Sequence, residues 1–74
     1  MSPAEYERKN SIRKLVDNQA FTDAIDVIKG DMAYNMLNES SEEVREALHR
    51  EYKALDRIVG QLTAIANEVR AIDG

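Results

Sequence analysis

The sequence predicts an all-α protein: an antiparallel helical hairpin with an additional N-terminal helix and coiled-coil-like packing. Three observations lead to this fold class. Apolar residues recur at helical spacing along the chain, serine-based start signals precede two of the segments, and the connections are only a few residues long. Because a short connection between two helices forces them to run in opposite directions, the last two segments are expected to form the hairpin.

A first helix is predicted over residues 3–16. The run from Ser2 to Glu5 is a compact start signal, since serine caps a helix, proline suits its first position and glutamate completes a capping box. Its main apolar residues, Ile12, Leu15 and Val16, lie near its end. The first half is polar apart from Tyr6, so we expect a frayed or partner-dependent arm there.

A second helix is predicted over residues 19–38, after a stop and fresh cap at Asp17 and Asn18. One of its faces carries apolar residues at the 3.6-residue period: Phe21, Ala24, Ile25, Ile28, Met32 and Met36. Gly30 lies on the opposite side, where it costs about 1 kcal/mol relative to alanine. Two explanations stay open: a tolerated glycine on a solvated face, or a point where another helix or a partner backbone approaches closely.

A third helix is predicted over residues 41–72, after a capping box in the run from Ser40 to Glu43. Apolar residues at alternating spacings of four and three form a heptad seam: Leu48, Tyr52, Leu55, Val59, Leu62, Ala66 and Val69. A second row at spacings of seven contains Ile58, Ile65 and Ile72, and Ala47 and Ala54 continue it upstream. The combined stripe spans roughly 160°, which is wider than one partner helix covers.

Helix lengths add a second reason to expect association. At about 1.5 Å per residue the third helix is about 47 Å long and the second about 30 Å, so the last ten or so residues extend beyond the second helix. The first helix must either cover that end or leave it exposed as an association surface. The predicted interaction residues are Ile58, Ile65, Val69 and Ile72 on the third helix, with Val27, Gly30 and Tyr34 on the second.

Chain size points the same way. Seventy-four residues form one domain, and a chain this short buries only about 60% of its unfolded surface, so a lone copy would be marginally stable. The sequence contains no cysteine, which excludes disulfides and thiolate metal sites. We therefore expect a homo-oligomer, a larger protein assembly, or both.

Charge and hydropathy limit the kinds of partner. The net charge is −4, with a balance of +2 over residues 1–14 and −6 over the rest, so nucleic acid is a poor partner for the body of the chain. The basic arm around Arg8, Lys9, Arg13 and Lys14 is a solvated face, a contact for an acidic protein or, third in order, a contact for nucleic acid. No apolar run approaches the ~20 residues that cross a bilayer, so no membrane partner is expected.

The sequence offers no constellation for catalysis, and an enzyme is not expected. Glu46 and His49 have the Glu-x-x-His spacing of di-iron bundles, but this is the only histidine, so an exposed structural pair is expected. No serine or histidine is arranged with a carboxylate as a triad, and the three glycines are too isolated to form a phosphate loop. No cofactor or metal is predicted.

Two stretches of the chain carry a resemblance to a known group of proteins. They are Leu15-Val16-Asp17-Asn18-Gln19-Ala20-Phe21 and Ala47-Leu48-His49-Arg50-Glu51-Tyr52-Lys53-Ala54-Leu55-Asp56. In these stretches the chain resembles short helical-hairpin accessory proteins of tailed bacteriophages, through a pattern that covers residues 12–72. The resemblance implies a capsid-, connector- or scaffold-associated component, and it implies no catalytic or ligand residues.

Two hypotheses for function follow. The first is a structural interaction protein that self-associates or docks on a larger assembly, as a phage accessory component. The second is a small phage-encoded inhibitor or sequestering protein that acts on a host defence enzyme or its signalling ligand. The N-terminus lacks the apolar core of a signal peptide, so an intracellular location is expected, in the host cytoplasm or in a virion.

Overall fold

The structure is a computed structural model that describes all residues from 1 to 74. It is all-helical: α1 spans Pro3–Val16, α2 spans Gln19–Asn38 and α3 spans Glu42–Asp73. The first two helices have the predicted bounds, and the third starts one residue later and ends one residue later than predicted. All three helices pack together. The molecule is a rod of 50 × 21 × 17 Å.

Side-chain caps define where each helix starts. The Ser2 hydroxyl accepts the Glu5 N–H at 3.2 Å, and the Asn18 side chain accepts the Ala20 N–H at 2.8 Å. At α3 the cap is Ser41, whose hydroxyl lies 3.4 Å from the Val44 nitrogen. The predicted box that starts at Ser40 therefore does not form, and Glu39 accepts the Ser41 N–H instead.

The helix α1 lies along the C-terminal half of α3. Tyr6 and Lys9 contact Asp73 and Glu68, respectively, and α1 packs more closely on α3 than α2 does. Of the two arrangements that the sequence left open, α1 thus covers the end of α3 that extends beyond α2. It is not a frayed arm.

The helix α2 lies along the N-terminal half of α3. Lys29 pairs with Asp56 at 2.6 Å, and Met36 lines a shallow hollow with His49. Near the break between α1 and α2, a groove contains residues of all three helices, among them Val16, Phe21 and Val59. The two shorter helices therefore follow one another along the same long helix.

The core of a single copy is very small. Ala66 and Val69 are wholly buried between α3 and α1, and no other residue of the chain is. The remaining residues of the heptad seam, such as Leu55 and Leu62, are half-buried. Because the rod is only two helices across at most levels, each of these half-buried seam residues is covered from one side and stays open at the flank.

Candidate interaction surfaces

Charged side chains form ion pairs across one flank of the rod. The Lys29 ammonium bonds Asp56 between α2 and α3 and lies 5.7 Å from the centre of the Tyr52 ring. The Arg70 guanidinium bonds the Asp17 carboxylate, which also pairs with Arg13 at 3.0 Å. Because Asp56 and Arg70 are fourteen residues apart, they lie on nearly the same side of α3.

The opposite flank carries isoleucines. Ile28 precedes Lys29 by one residue, about 100° around α2, and Ile58 lies about 160° from Asp56 around α3, so both project away from the charged flank. Ile65 and Ile72 continue the row of Ile58 along α3 at steps of seven residues. Ile12 follows Lys9 by three residues on α1, and Lys9 bonds Glu68, which lies between Ile65 and Ile72 on one side of α3, so Ile12 lies on the same flank. We define the isoleucine edge as Ile12, Ile28, Ile58, Ile65 and Ile72.

The isoleucine edge is only partly covered within one copy. Ile28, Ile58 and Ile72 keep 44%, 51% and 56% of their surface exposed, and Ile12 and Ile65 are half-buried. Hence α1 covers the seam at the end of α3 but leaves the flank that carries Ile72 exposed. Three of the seven predicted interaction residues, Ile58, Ile65 and Ile72, fall on this edge.

Val69 requires a correction. The sequence predicts it on an accessible association surface, but the structure buries it completely, at the level where α1 packs on α3. The physical reason is its position on the heptad seam, which points at the covering helix, whereas the row of Ile72 points sideways. Val69 is therefore a core residue and is not accessible to a partner.

A second apolar surface lies on the outer face of α2. Val27, Tyr34 and Leu37 are 63%, 66% and 86% exposed, and Gly30 lies among them. A Cβ atom added to Gly30 would meet nothing within 4 Å. No helix of the chain itself approaches Gly30, so a close approach there would have to come from another molecule.

Polar contacts hold α1 on α3 at the far end of the rod. The Tyr6 hydroxyl donates to both oxygens of the Asp73 carboxylate at 2.9 Å, and the hydrogen bond raises the pKa of Tyr6. Lys9 donates to Glu68 at 2.8 Å, which raises the pKa of Lys9. The bond with Asp56 raises the pKa of Lys29 in the same way.

Several charged residues have no ion-pair partner within the chain. Arg8 forms none, and neither do Arg50, Lys53 and Arg57, which lie together on the outward side of α3. Of the four predicted cations of the basic arm, Lys9 and Arg13 pair with carboxylates, whereas Arg8 and Lys14 do not. The arm is therefore partly engaged in holding α1 in place.

The Glu46–His49 pair lies at the other end of the rod. Both residues line an open hollow together with Met36, Glu42, Arg45 and Arg50. Three or more histidine, aspartate or glutamate side chains do not converge anywhere in the structure at a spacing that could hold a metal ion. None of the three helices combines the length and apolar character that a membrane span requires.

No protein-family model, curated protein or solved structure matches this chain. The assignment of a function therefore depends on the surfaces described above. Their common property is that apolar side chains remain exposed on two sides of a thin rod.

Proposed function

We propose that the protein is a structural interaction module that self-associates or docks on a larger protein assembly. A single observation carries the proposal. Two residues are buried, whereas nine large apolar residues are at least 42% exposed: Met1, Leu15, Val27, Ile28, Tyr34, Leu37, Val44, Ile58 and Ile72. Six of the nine are grouped on two faces: Ile28, Ile58 and Ile72 on the isoleucine edge, and Val27, Tyr34 and Leu37 on the outer face of α2. Exposed apolar area grouped in this way is typical of a surface that another protein covers.

The architecture that we propose for the module is an antiparallel helical hairpin with coiled-coil-like packing. Lys29 lies beside Asp56 and Met36 near His49, so the residue numbers of α2 and α3 run in opposite directions. The pairs Tyr6–Asp73 and Lys9–Glu68 give α1 the same antiparallel direction relative to α3. The hairpin thus has α3 as one arm and the broken helix α1–α2 as the other.

The proposed setting is that of a phage accessory component, and it rests on the resemblance of residues 12–72 to hairpin proteins of tailed phages. The rod is 50 Å long and exposes apolar side chains on more than one side, so it can contact more than one neighbouring protein. A component of this kind is held by burial of apolar surface on its neighbours and needs no catalytic site.

Two measurements test the proposal. Light scattering of the purified chain gives its mass, which we expect to exceed the 8.4 kDa of one copy. Purified particles, analysed by quantitative mass spectrometry, should contain the chain at a fixed ratio to the major structural protein. A monomer that is also absent from particles would contradict the proposed function.

A matched pair of variants locates the surface that is used. Leu37→Lys changes the outer face of α2, and Ser40→Lys places the same charge on the nearby connection, away from both apolar faces. If the outer face docks on an assembly, Leu37→Lys should lose incorporation into particles and Ser40→Lys should retain it. Equal incorporation of the two variants would exclude the outer face of α2 as the docking surface.

A further inference from the structure

We infer that the isoleucine edge binds a second copy of this chain, in a side-by-side dimer whose two-fold axis runs parallel to the rod. This inference rests on the proposed function and specifies the partner of one of its surfaces. It concerns the flank of the rod that carries Ile12, Ile28, Ile58, Ile65 and Ile72, and it leaves the outer face of α2 free.

The first argument is the distribution of the isoleucines along the rod. Lys29 pairs with Asp56, so Ile28 lies at the level of Ile58 near the middle. Lys9 pairs with Glu68, so Ile12 lies in the same half as Ile65 and Ile72. The other half of the flank carries small or charged residues: Ala47, Glu51 and Ala54. The isoleucines therefore extend from the middle of the edge to one end only, where Glu68, paired with Lys9, lies between Ile65 and Ile72.

This asymmetry selects the direction of the axis. A two-fold interface brings the same patch of each copy together. With the axis parallel to the rod, each level of one copy meets the same level of the other, and Ile58 lies opposite the partner copy's α2 at Ile28. An axis perpendicular to the rod through its centre would instead place Ile65 and Ile72 of one copy opposite the half of the other copy that contains Glu51.

The second argument is charge complementarity at the end of the edge. Arg8 lies one helical turn before Ile12 on the same side of α1, and it has no ion-pair partner in its own chain. Its level falls between those of the Lys9–Glu68 and Tyr6–Asp73 contacts. In the parallel arrangement Arg8 of each copy therefore meets the flank of the other α3 near Glu68. Lys9 of the same chain bonds one oxygen of that half-exposed carboxylate, Oε2, and the other oxygen accepts no hydrogen bond within the chain.

The third argument is area. The two kinds of long face of the rod have outlines of about 850 Å² (50 × 17 Å) and about 1,050 Å² (50 × 21 Å), and stable interfaces bury about 800 Å² on each partner, so a stable dimer needs most of the length of a face. If a perpendicular axis instead passed through the end that carries the isoleucines, the two copies would overlap along only about half of the rod. Full-length contact along the rod is thus the arrangement that supplies both sufficient area and apolar contact in register.

The test of the interface uses charge substitutions at sites of similar exposure. Ile58→Lys and, independently, Ile28→Lys should give a mass of 8.4 kDa by light scattering, whereas the unmodified chain should give about 17 kDa, twice that value. Val27→Lys, on the outer face of α2, should leave the dimer intact. Far-ultraviolet circular dichroism checks that each variant is still helical. Dissociation by Val27→Lys but not by the two isoleucine variants would overturn the inference.

The test of the orientation uses a single spin label, which is possible because the chain has no cysteine. In labelled Ser40→Cys, the parallel axis places both connections at one end of the rod, about 20–30 Å apart for neighbouring helix pairs. A perpendicular axis separates them by about 50 Å, the rod length, or more. Pulsed electron paramagnetic resonance distinguishes the two distances, and the longer one would overturn the inference.

The outcomes separate this inference from the proposed function. A monomeric chain that still enters particles overturns the dimer and retains the docking module. A dimer with the longer label distance overturns the parallel axis and retains self-association. A chain that neither self-associates nor enters particles overturns both.

Discussion

The Tyr6 hydroxyl donates to both carboxylate oxygens of Asp73 at 2.9 Å, which ties the first turns of α1 to the last turn of α3. The two residues are 67 positions apart in the chain. This contact, together with Lys9–Glu68, fixes α1 over the wholly buried Ala66 and Val69. Loss of these contacts should therefore affect the stability of the α1 end first.

We predict that stability falls at alkaline pH. The folded-state pKa values of Tyr6, Lys9 and Lys29 are raised above their ordinary values of 10.0, 10.5 and 10.5. A raised folded pKa contributes stability that is fully present below the ordinary value and is lost as pH rises through the folded value. Denaturant unfolding followed by circular dichroism from pH 8 to pH 12 should show a decline that begins near pH 10.

The variant Tyr6→Phe isolates the tyrosine contribution to this decline. It keeps the ring and removes the hydroxyl. At pH values below 10 the variant should therefore have a lower free energy of unfolding than the unmodified protein, and above pH 10 its free energy of unfolding should depend less on pH. Tyr34→Phe is the matched control, because Tyr34 is exposed and its hydroxyl forms no hydrogen bond in the chain. If the three proteins share one pH profile, the Tyr6–Asp73 bond does not contribute to stability.

We predict that Leu62→Ala destabilises the protein by about 2 kcal/mol, at the lower end of the range for leucine truncation because Leu62 is half-buried. Leu37→Ala removes the same atoms from a side chain that is 86% exposed and should change the free energy of unfolding very little. Chemical unfolding at one fixed protein concentration measures both, since association makes stability concentration-dependent. Equal losses in the two variants would show that Leu62 is not part of the seam.

We predict that Gly30→Ala and Gly60→Ala each stabilise the protein by about 1 kcal/mol. Both glycines lie inside helices, and an added Cβ at either position would meet nothing within 4 Å. Thermal or chemical unfolding measures the gain. Gly30→Ala also tests the close-approach explanation: a more stable chain that no longer enters assemblies would place a partner backbone against Gly30.

We predict that Asn18→Ala costs about 1 kcal/mol, because the Asn18 side chain caps α2 by accepting the Ala20 N–H at 2.8 Å. Asn18→Asp retains a side-chain oxygen for the cap and should preserve most of the stability. Amide hydrogen exchange would place the effect at the first turn of α2. Exchange that is unchanged there would show that the cap does not hold the break between α1 and α2.

Much of the fold could be predicted because it depends on local rules. Ser2, Asn18 and the 3.6-residue period set the helices, and each rule operates within a few residues of the chain. The position of α1 could not be predicted in this way. It depends on contacts such as Lys9–Glu68, 59 residues apart, and no local pattern indicates which of two distant surfaces a polar helix will cover.

The candidate surfaces could likewise be predicted only where they depend on local sequence patterns. The heptad arithmetic separated the seam from the row of Ile58, Ile65 and Ile72, and that row does lie on an open flank. The expected exposure of Val69 is wrong because the sequence does not show whether α1 covers the seam at the C-terminal end of α3. The sequence does not predict Ile28 and Ile12 as interaction residues, because their place on the edge depends on how α2 and α1 pack against α3, which the pairs Lys29–Asp56 and Lys9–Glu68 define.

The sequence by itself determined three helices, their bounds to within a residue and an apolar stripe on α3 wider than one neighbour covers, since propensity, caps and periodicity are local properties. Only the tertiary structure decided that α1 covers the end of α3, that Val69 is core, and that five isoleucines from three helices share one flank. Those outcomes depend on contacts between residues far apart in the chain, whose formation balances the burial of apolar surface against the entropy of ordering the chain.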